Sequence, residues 1–261
     1  MKLLAKSFLF YVSFALFFVL LLPFLAITLY IVRDRRLAQC IAKVWTQVTC
    51  VMMQRCVGLS YHLEGFEQIH QSPTPMIIAS KHQSIWDVGA LELEFGEKAV
   101  FVIKKELKSI PFFGRMMTLI GAIAIDRKKP VQAIRQMLDE AKKEVQKNNS
   151  HIIIFPEGRR TAVGETADYT DGVYLLYKNL HMPVAAVALN SGLYWPRRNF
   201  LKYPGTIEAK VMEIIPPGLD RDSFRDRLVN AIESGSLELI NSHTRHDYQE
   251  NYTCKKHEVA V

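Results

Sequence analysis

Between Ser7 and Val32 the chain carries no charged residue, and most positions are Phe, Leu, Val, Ile or Ala. A membrane span asks for about 20 such residues. As one helix the stretch reaches about 39 Å at about 1.5 Å per residue, somewhat beyond a hydrocarbon core of about 30 Å. Two arrangements meet that constraint. One is a tilted single span; the other is a helical hairpin broken at Pro23, whose ring removes a backbone donor and clashes with the preceding turn. A cleaved leader is disfavoured, because its apolar region runs about 7–15 residues and ends in small side chains. This one is longer and ends in Arg33-Asp34-Arg35-Arg36. Under the positive-inside rule those arginines put the downstream residues on the cytoplasmic side, an asymmetry that Lys2 and Lys6 weaken.

From Leu37 to Val57, Ile41, Val44, Val48, Val51 and Met52 recur at helical spacing, with Lys43, Gln47, Gln54 and Arg55 on a polar side. Such a helix either lies at the membrane interface or packs on the domain behind it. The expected organisation is a membrane anchor and interfacial helix over residues 1–57, a catalytic-sized domain over 58–243 and a polar tail over 244–261. An apolar fraction of 49% is ample for a packed core, and a formal charge of +7 favours an anionic partner. Nucleic acid is a poor fit, since the chain has neither zinc-finger spacing nor an aromatic RNP pattern nor an arginine-rich arm; membrane lipid fits better. The spacing of Cys40, Cys50, Cys56 and Cys254 matches neither a disulfide framework nor a zinc site, which predicts reduced thiols and no bound metal.

Beyond Gly58 short apolar runs alternate with helical patterns. Strands are predicted at Ser60–Leu63, Met76–Ala79, Ala99–Ile103, Ile123–Ile125, Ile152–Phe155, Val184–Ala188 and Gly205–Ile214. Helices are predicted at Trp86–Phe95, Phe112–Ile120, Val131–Gln146, Tyr169–Leu180 and Asp222–Asn241. Alternation of this kind implies an α/β fold, a mostly parallel sheet with helices on its faces. Functional groups should then gather at the carboxyl ends of the strands.

Several segments carry polar chemistry at such ends. His82 and Asp87 lie between a strand and a helix. Residues five apart are about 140° apart around a helix, so the two meet only if the histidine sits in the turn ahead of it. So placed, an imidazole oriented by a carboxylate can act as a general base toward a hydroxyl; a chance pairing is the plainer alternative. Phe155-Pro156-Glu157-Gly158-Arg159-Arg160-Thr161 follows another strand. Gly158 permits a tight turn, and the two arginines suit bidentate contact with a phosphate; a solvated turn with a surface ion pair is the alternative. Gly121 to Arg127 is a strand ending in Asp126-Arg127, where Asp126 can serve equally as a helix cap before Pro130. Lys104, Lys105 and Lys108 precede Ile110-Pro111-Phe112-Phe113, a basic and aromatic stretch that suits lipid headgroups or a solvated helix end. Met182-Pro183-Val184 leads to Asn190 and Ser191, a wall without an acid, base or activated nucleophile.

Taken in order, these segments resemble the glycerolipid acyltransferases, specifically the 1-acylglycerol-3-phosphate acyltransferases. That family's pattern is Asn-His, four residues, Asp; then Gly-x-x-Phe-Ile-Asp/Glu-Arg; then Phe-Pro-Glu-Gly-Thr-Arg-Ser; then an apolar-Pro-apolar block. Here the pattern runs through His82…Asp87, Gly121…Asp126-Arg127, Phe155–Arg160 and Met182–Val184, spanning about Ser60 to Gly192. The resemblance implies that His82 takes the proton from a lysophospholipid hydroxyl while Asp87 fixes the imidazole. It further implies that the hydroxyl attacks the thioester of acyl-CoA or acyl-carrier protein. Glu157, Gly158 and Arg160 would bind the acceptor's glycerol phosphate, helped by Asp126 and Arg127, with Arg159 and Lys104 adding charge. No metal, cofactor or covalent acyl-enzyme is implied, since a thioester is already activated. The chain departs from the pattern at Lys81 (often Asn), Ala124 (often Phe) and Arg159 (often Thr). The two basic changes are expected to add charge beside the site, and Ala124 to leave more room.

The expected function is therefore acylation of lysophosphatidic acid to phosphatidic acid at a bacterial-type inner or cytoplasmic membrane, with the domain facing the cytoplasm. Acylation of another lysophospholipid keeps the chemistry and changes the acceptor. A lipid-binding protein without catalysis has no need of the His82–Asp87 pair. A hydrolase would want a Gly-x-Ser-x-Gly elbow, and the sequence has none. Oligomeric state, acyl-chain length and the choice of donor leave no mark on the sequence.

Overall fold

The computed structural model describes residues 1–243; the predicted polar tail lies outside them. The chain opens with α1 (Lys2–Ala26), which runs on as a wider π-helical turn over Ile27–Val32. Pro23 sits inside the helix without breaking it, so no hairpin forms there. The reversal comes later. Arg33 adopts a left-handed conformation, and the Asp34 side chain caps α2 (Arg35–Met52) by accepting from the Leu37 amide at 2.7 Å. Among the described residues, Lys2–Val32 is the single helix long and apolar enough to cross a membrane.

Both N-terminal helices pack on the domain and leave apolar faces outside. Phe10 and Leu25 are buried, while Leu9, Leu16, Leu20 and Phe24 are exposed. Trp45 of α2 meets Phe14 and Phe18 of α1 edge-on at 5.4 and 5.2 Å between ring centroids. On its other side α2 docks on α4 (Trp86–Phe95). A Cβ at Gly89 of that helix would stand 2.9 Å from the Thr46 methyl, so glycine allows the approach. The segment from Leu37 thus packs on the domain.

All seven predicted strands are present: β1 (Leu59–Glu64), β2 (Ile77–Ser80), β3 (Ala99–Lys104), β4 (Ile123–Ile125), β5 (His151–Ile154), β6 (Val184–Leu189) and β7 (Gly205–Ile215). The sheet order is β1-β7-β6-β2-β5-β3-β4. Every neighbouring pair is parallel except β6 with β7. The fully buried strands β2, β5 and β6 are apolar except for Ser80 at the end of β2 and His151 at the start of β5, as a sheet covered on both faces favours. A short helix that sequence patterning missed, α3 (Glu67–His70), and α4 cover one face through Ile69, Leu91 and Phe95. The other face carries α6 (Pro130–Asn148), α7 (Gly172–Leu180) and α8 (Arg221–His243), through Met137, Ala141, Leu176, Phe224 and Ile232. The remaining helix, α5 (Phe113–Leu119), packs Met116 and Met117 against Leu25 and Leu29.

Because β2, β5, β3, β4 and β6 share one direction, their carboxyl ends lie along one sheet edge. His82, Phe155–Thr161, Lys104, Asp126-Arg127 and Asn190-Ser191 follow those ends. The antiparallel β7 begins at the same edge, so the loop leading into it arrives there as well.

Candidate active site

His82 lies in the turn between β2 and α4, ahead of the helix, and its Nδ1 is 3.0 Å from Asp87 Oδ2. The same oxygen accepts the Gln83 and Ser84 amides at 2.8 Å each. One carboxylate therefore satisfies amides that the start of a helix leaves open and orients the imidazole. Asp87 is fully buried. Accepting two amides makes its oxygen a poor donor, so Nδ1 carries the proton and Nε2 keeps the free lone pair. The imidazole stacks on Phe155 at 4.0 Å and 20° between planes, which fixes its plane from the β5 side.

Glu157, expected to bind the acceptor's glycerol phosphate, is instead engaged within the protein. It is buried beneath the mouth, and its carboxylate is taken up by Lys81 Nζ at 2.6 Å, the Thr161 hydroxyl at 2.9 Å and the His82 amide at 2.8 Å. Burial pushes its pKa up, against the pull of Lys81, Thr161 and the His82 amide. Glu157 thus holds the histidine turn by its backbone, and Thr161 holds it again, donating its amide to the His82 carbonyl at 2.8 Å.

Lys81 also departs from expectation. Adjacent side chains at a strand end point to opposite faces, so Lys81 turns away from His82 and is 1% exposed. Its ammonium binds Glu157 and, at 2.8 Å, Glu233 of α8, which in turn accepts the Tyr169 hydroxyl at 2.7 Å. Its charge is spent inside and adds nothing at the surface. Arg159 is likewise engaged, with Nη2 at 2.5 Å from Glu165, whose other oxygen accepts the Ala162 amide at 2.9 Å. Asp126 closes its own turn, accepting the Lys128 amide at 3.0 Å and Lys105 Nζ at 3.2 Å; the N-cap position of α6 is Lys129. Ala124 is buried in β4 and does not line the mouth.

The remaining cations do come together. Gly158 has φ +65°, and a Cβ there would meet Arg127 Nη2 at 2.8 Å, so the glycine allows that guanidinium to lie on the loop and donate to the Gly158 carbonyl at 2.7 Å. Arg160 flanks His82 through its neighbour Thr161, and among the described residues no side chain forms a hydrogen bond or ion pair with its guanidinium. Burial, then Arg197, lowers the Arg160 pKa, while Asp87 raises it. Burial, then Arg127, lowers that of Lys104, with Arg197 and Arg160 adding to the effect. Positive groups that depress one another in this way form a concentrated patch of like charge, chemically suited to an anion. Arg197 escaped the sequence reading; the one signal was the Arg197-Arg198 pair ahead of β7.

The sequence and the fold resemble those of known proteins. The Acyltransferase family model covers residues 60–190. The 1-acyl-sn-glycerol-3-phosphate acyltransferase of Pseudomonas aeruginosa is 36% identical over 167 residues, which is 64% of this chain and 63% of that protein, so the chain spans less than two thirds of that relative. The protein of the same name from Saccharomyces cerevisiae is 27% identical over 83% of this chain and 75% of its own. The crystal structure titled as the 1-acyl-sn-glycerophosphate (LPA) acyltransferase PlsC of Thermotoga maritima shares the fold, with a TM-score of 0.71 and 22% identity over 92% of this chain and 98% of that one. The family match covers half of the sequence and contains the histidine turn, the Phe155–Thr161 loop and the strand end at Arg127: the chain belongs to the acyltransferase family.

Proposed function

We propose that this protein transfers a fatty acyl group from acyl-CoA or acyl-carrier protein to the free sn-2 hydroxyl of lysophosphatidic acid, forming phosphatidic acid at a membrane. The observation that carries this reading is the His82–Asp87 pair beside the Arg160 guanidinium: a base for a hydroxyl next to a holder for its phosphate. The names of the relatives point the same way.

In this mechanism His82 Nε2 takes the hydroxyl proton as the oxygen attacks the thioester carbonyl. Asp87, already bonded to Nδ1, stabilises the imidazolium. The tetrahedral intermediate then expels the thiolate, which recovers the proton from His82 and leaves as a thiol. Arg160, Arg127 and Lys104 hold the acceptor's phosphate. The transfer calls on no metal or prosthetic group, and turnover should survive a chelator. The apolar outer faces of α1 and α2 support placement of the anchor in lipid, which delivers an amphiphilic acceptor to the sheet edge.

The test is turnover of purified full-length protein with lysophosphatidic acid and each donor in turn. Phosphatidic acid formed with either donor supports the proposal. Absence of product with both, where another lysophospholipid is acylated, would replace the acceptor; absence with every acceptor would reject the function.

A further inference from the structure

The loop between Tyr194 and Tyr203 reaches the sheet edge from the anchor side, and its attachments are unusual. Tyr203 N donates to the Tyr194 carbonyl at 2.9 Å and closes its base. Inside, Lys202 is 1% exposed, and its ammonium donates to the carbonyls of Asn199 at 2.5 Å, Leu201 at 3.2 Å and Phe200 at 3.3 Å. A cation thus satisfies the carbonyls of a turn that has no ladder of its own.

The loop is then fastened to α1. The Ser7 hydroxyl accepts the Lys202 amide at 2.9 Å. Phe10 meets Trp195 edge-on at 5.5 Å, and Tyr11 stacks on Phe200 at 4.8 Å. Lys202 Nζ lies 5.5 Å from the ring centroids of both Tyr11 and Trp195, within cation–π range. At the other end Arg197 Nη1 donates to the Arg160 carbonyl at 2.9 Å, which leaves the rest of its fork exposed beside Arg160 and Lys104.

We propose that the Trp195–Tyr203 loop, pinned to the N-terminal helix through Ser7 and Lys202, delivers Arg197 to the site as a further ligand for the acceptor's phosphate. The helix then positions a substrate-binding arginine, in addition to any role in lipid. The inference rests on the proposed acylation of a phosphorylated acceptor and deepens it. A guanidinium tethered by one nitrogen keeps others for a phosphate oxygen, and its orientation is set before substrate arrives.

The experiment uses full-length protein in lipid vesicles with Arg197→Ala, Arg197→Lys and Ser7→Ala. Loss of a charged hydrogen bond to the acceptor predicts a KM for lysophosphatidic acid raised about tenfold or more in Arg197→Ala, with kcat within a few-fold. Partial recovery in Arg197→Lys and an unchanged melting temperature are expected. Ser7→Ala, far from the phosphate, should shift KM in the same direction by a smaller factor. The KM for an uncharged monoacylglycerol should not move. Equal loss with charged and uncharged acceptors, or an unchanged KM in Arg197→Ala, overturns the inference. Calorimetric binding of glycerol 3-phosphate separates it from the functional reading. If wild type binds and Arg197→Ala binds weakly, the ligand assignment stands even where turnover fails; no difference between the two, or no binding by wild type, removes it.

Discussion

Lys81 and His82 are neighbours in the chain, yet their side chains serve opposite faces of the sheet. The Lys81 ammonium lies 2.6 Å from buried Glu157 and 2.8 Å from Glu233, while the His82 imidazole stacks on Phe155 and bonds Asp87. Glu157 joins the two, since it also accepts the His82 amide. The histidine turn is therefore held from below by an ion pair and from in front by the carboxylate that orients the ring.

Lys81→Met should destabilise the protein by about 3–5 kcal/mol, the usual cost of stranding one member of a buried pair. Adding Glu157→Gln should recover part of that loss, because the more deeply buried of the two carboxylates left without Lys81 is then neutral. Denaturant unfolding of both single variants and the double variant checks this; additive losses would mean the pair is not coupled.

Asp87→Asn keeps the side chain's size but brings an NH2 group and loses the charge that favours the imidazolium. Turnover should fall by about 10²-fold or more with a small change in KM. Steady-state kinetics decides, and a loss confined to KM would contradict a role in proton transfer.

Arg159 and Arg160 are adjacent and should behave differently. Arg159 is paired with Glu165 at the surface, so Arg159→Ala should change stability little and leave KM nearly unchanged. Arg160→Ala should raise KM selectively for phosphorylated acceptors. Parallel kinetics with lysophosphatidic acid and monoacylglycerol would show it.

Much of the fold was legible because buried parallel strands are mostly apolar, so β2, β5 and β6 stand out as runs of Ile, Val, Ala and Leu with one polar residue at an end of β2 and of β5. Pro130 at the start of α6 and its apolar stripe worked for the same local reason. The histidine turn was legible too, since only a position ahead of the helix lets His82 reach Asp87. What failed depended on distant partners. Lys81 reads as surface charge until Glu233, 152 residues away, is seen to face it. The chain reversal falls at Arg33 rather than Pro23, where a left-handed residue ends the first helix and the Asp34 side chain caps the second. Arg197 gains meaning only from a loop tied to Ser7, 195 residues from its bonding partner Lys202.

Stability should fall on acidification for a reason outside the site. His151 is buried, and its Nδ1 must be neutral to accept the Met76 amide at 3.1 Å; burial lowers its pKa to about 4, from an ordinary value near 6.5. Between those values the unfolded chain binds the extra proton, so the contribution is complete above about 6.5 and is lost as pH falls toward 4. Melting temperatures across that window should drop more steeply for wild type than for His151→Asn. Parallel curves would place the acid sensitivity elsewhere.

The most direct measurement is acyl transfer by His82→Ala beside wild type, under saturating donor and lysophosphatidic acid, with folding checked by melting temperature. The predicted result is a well-folded variant whose turnover is reduced by about 10²–10⁴-fold. Turnover within a few-fold of wild type would contradict the assignment of His82 as the base, because among the described residues no other side chain bonded to Asp87 is placed to take the hydroxyl's proton.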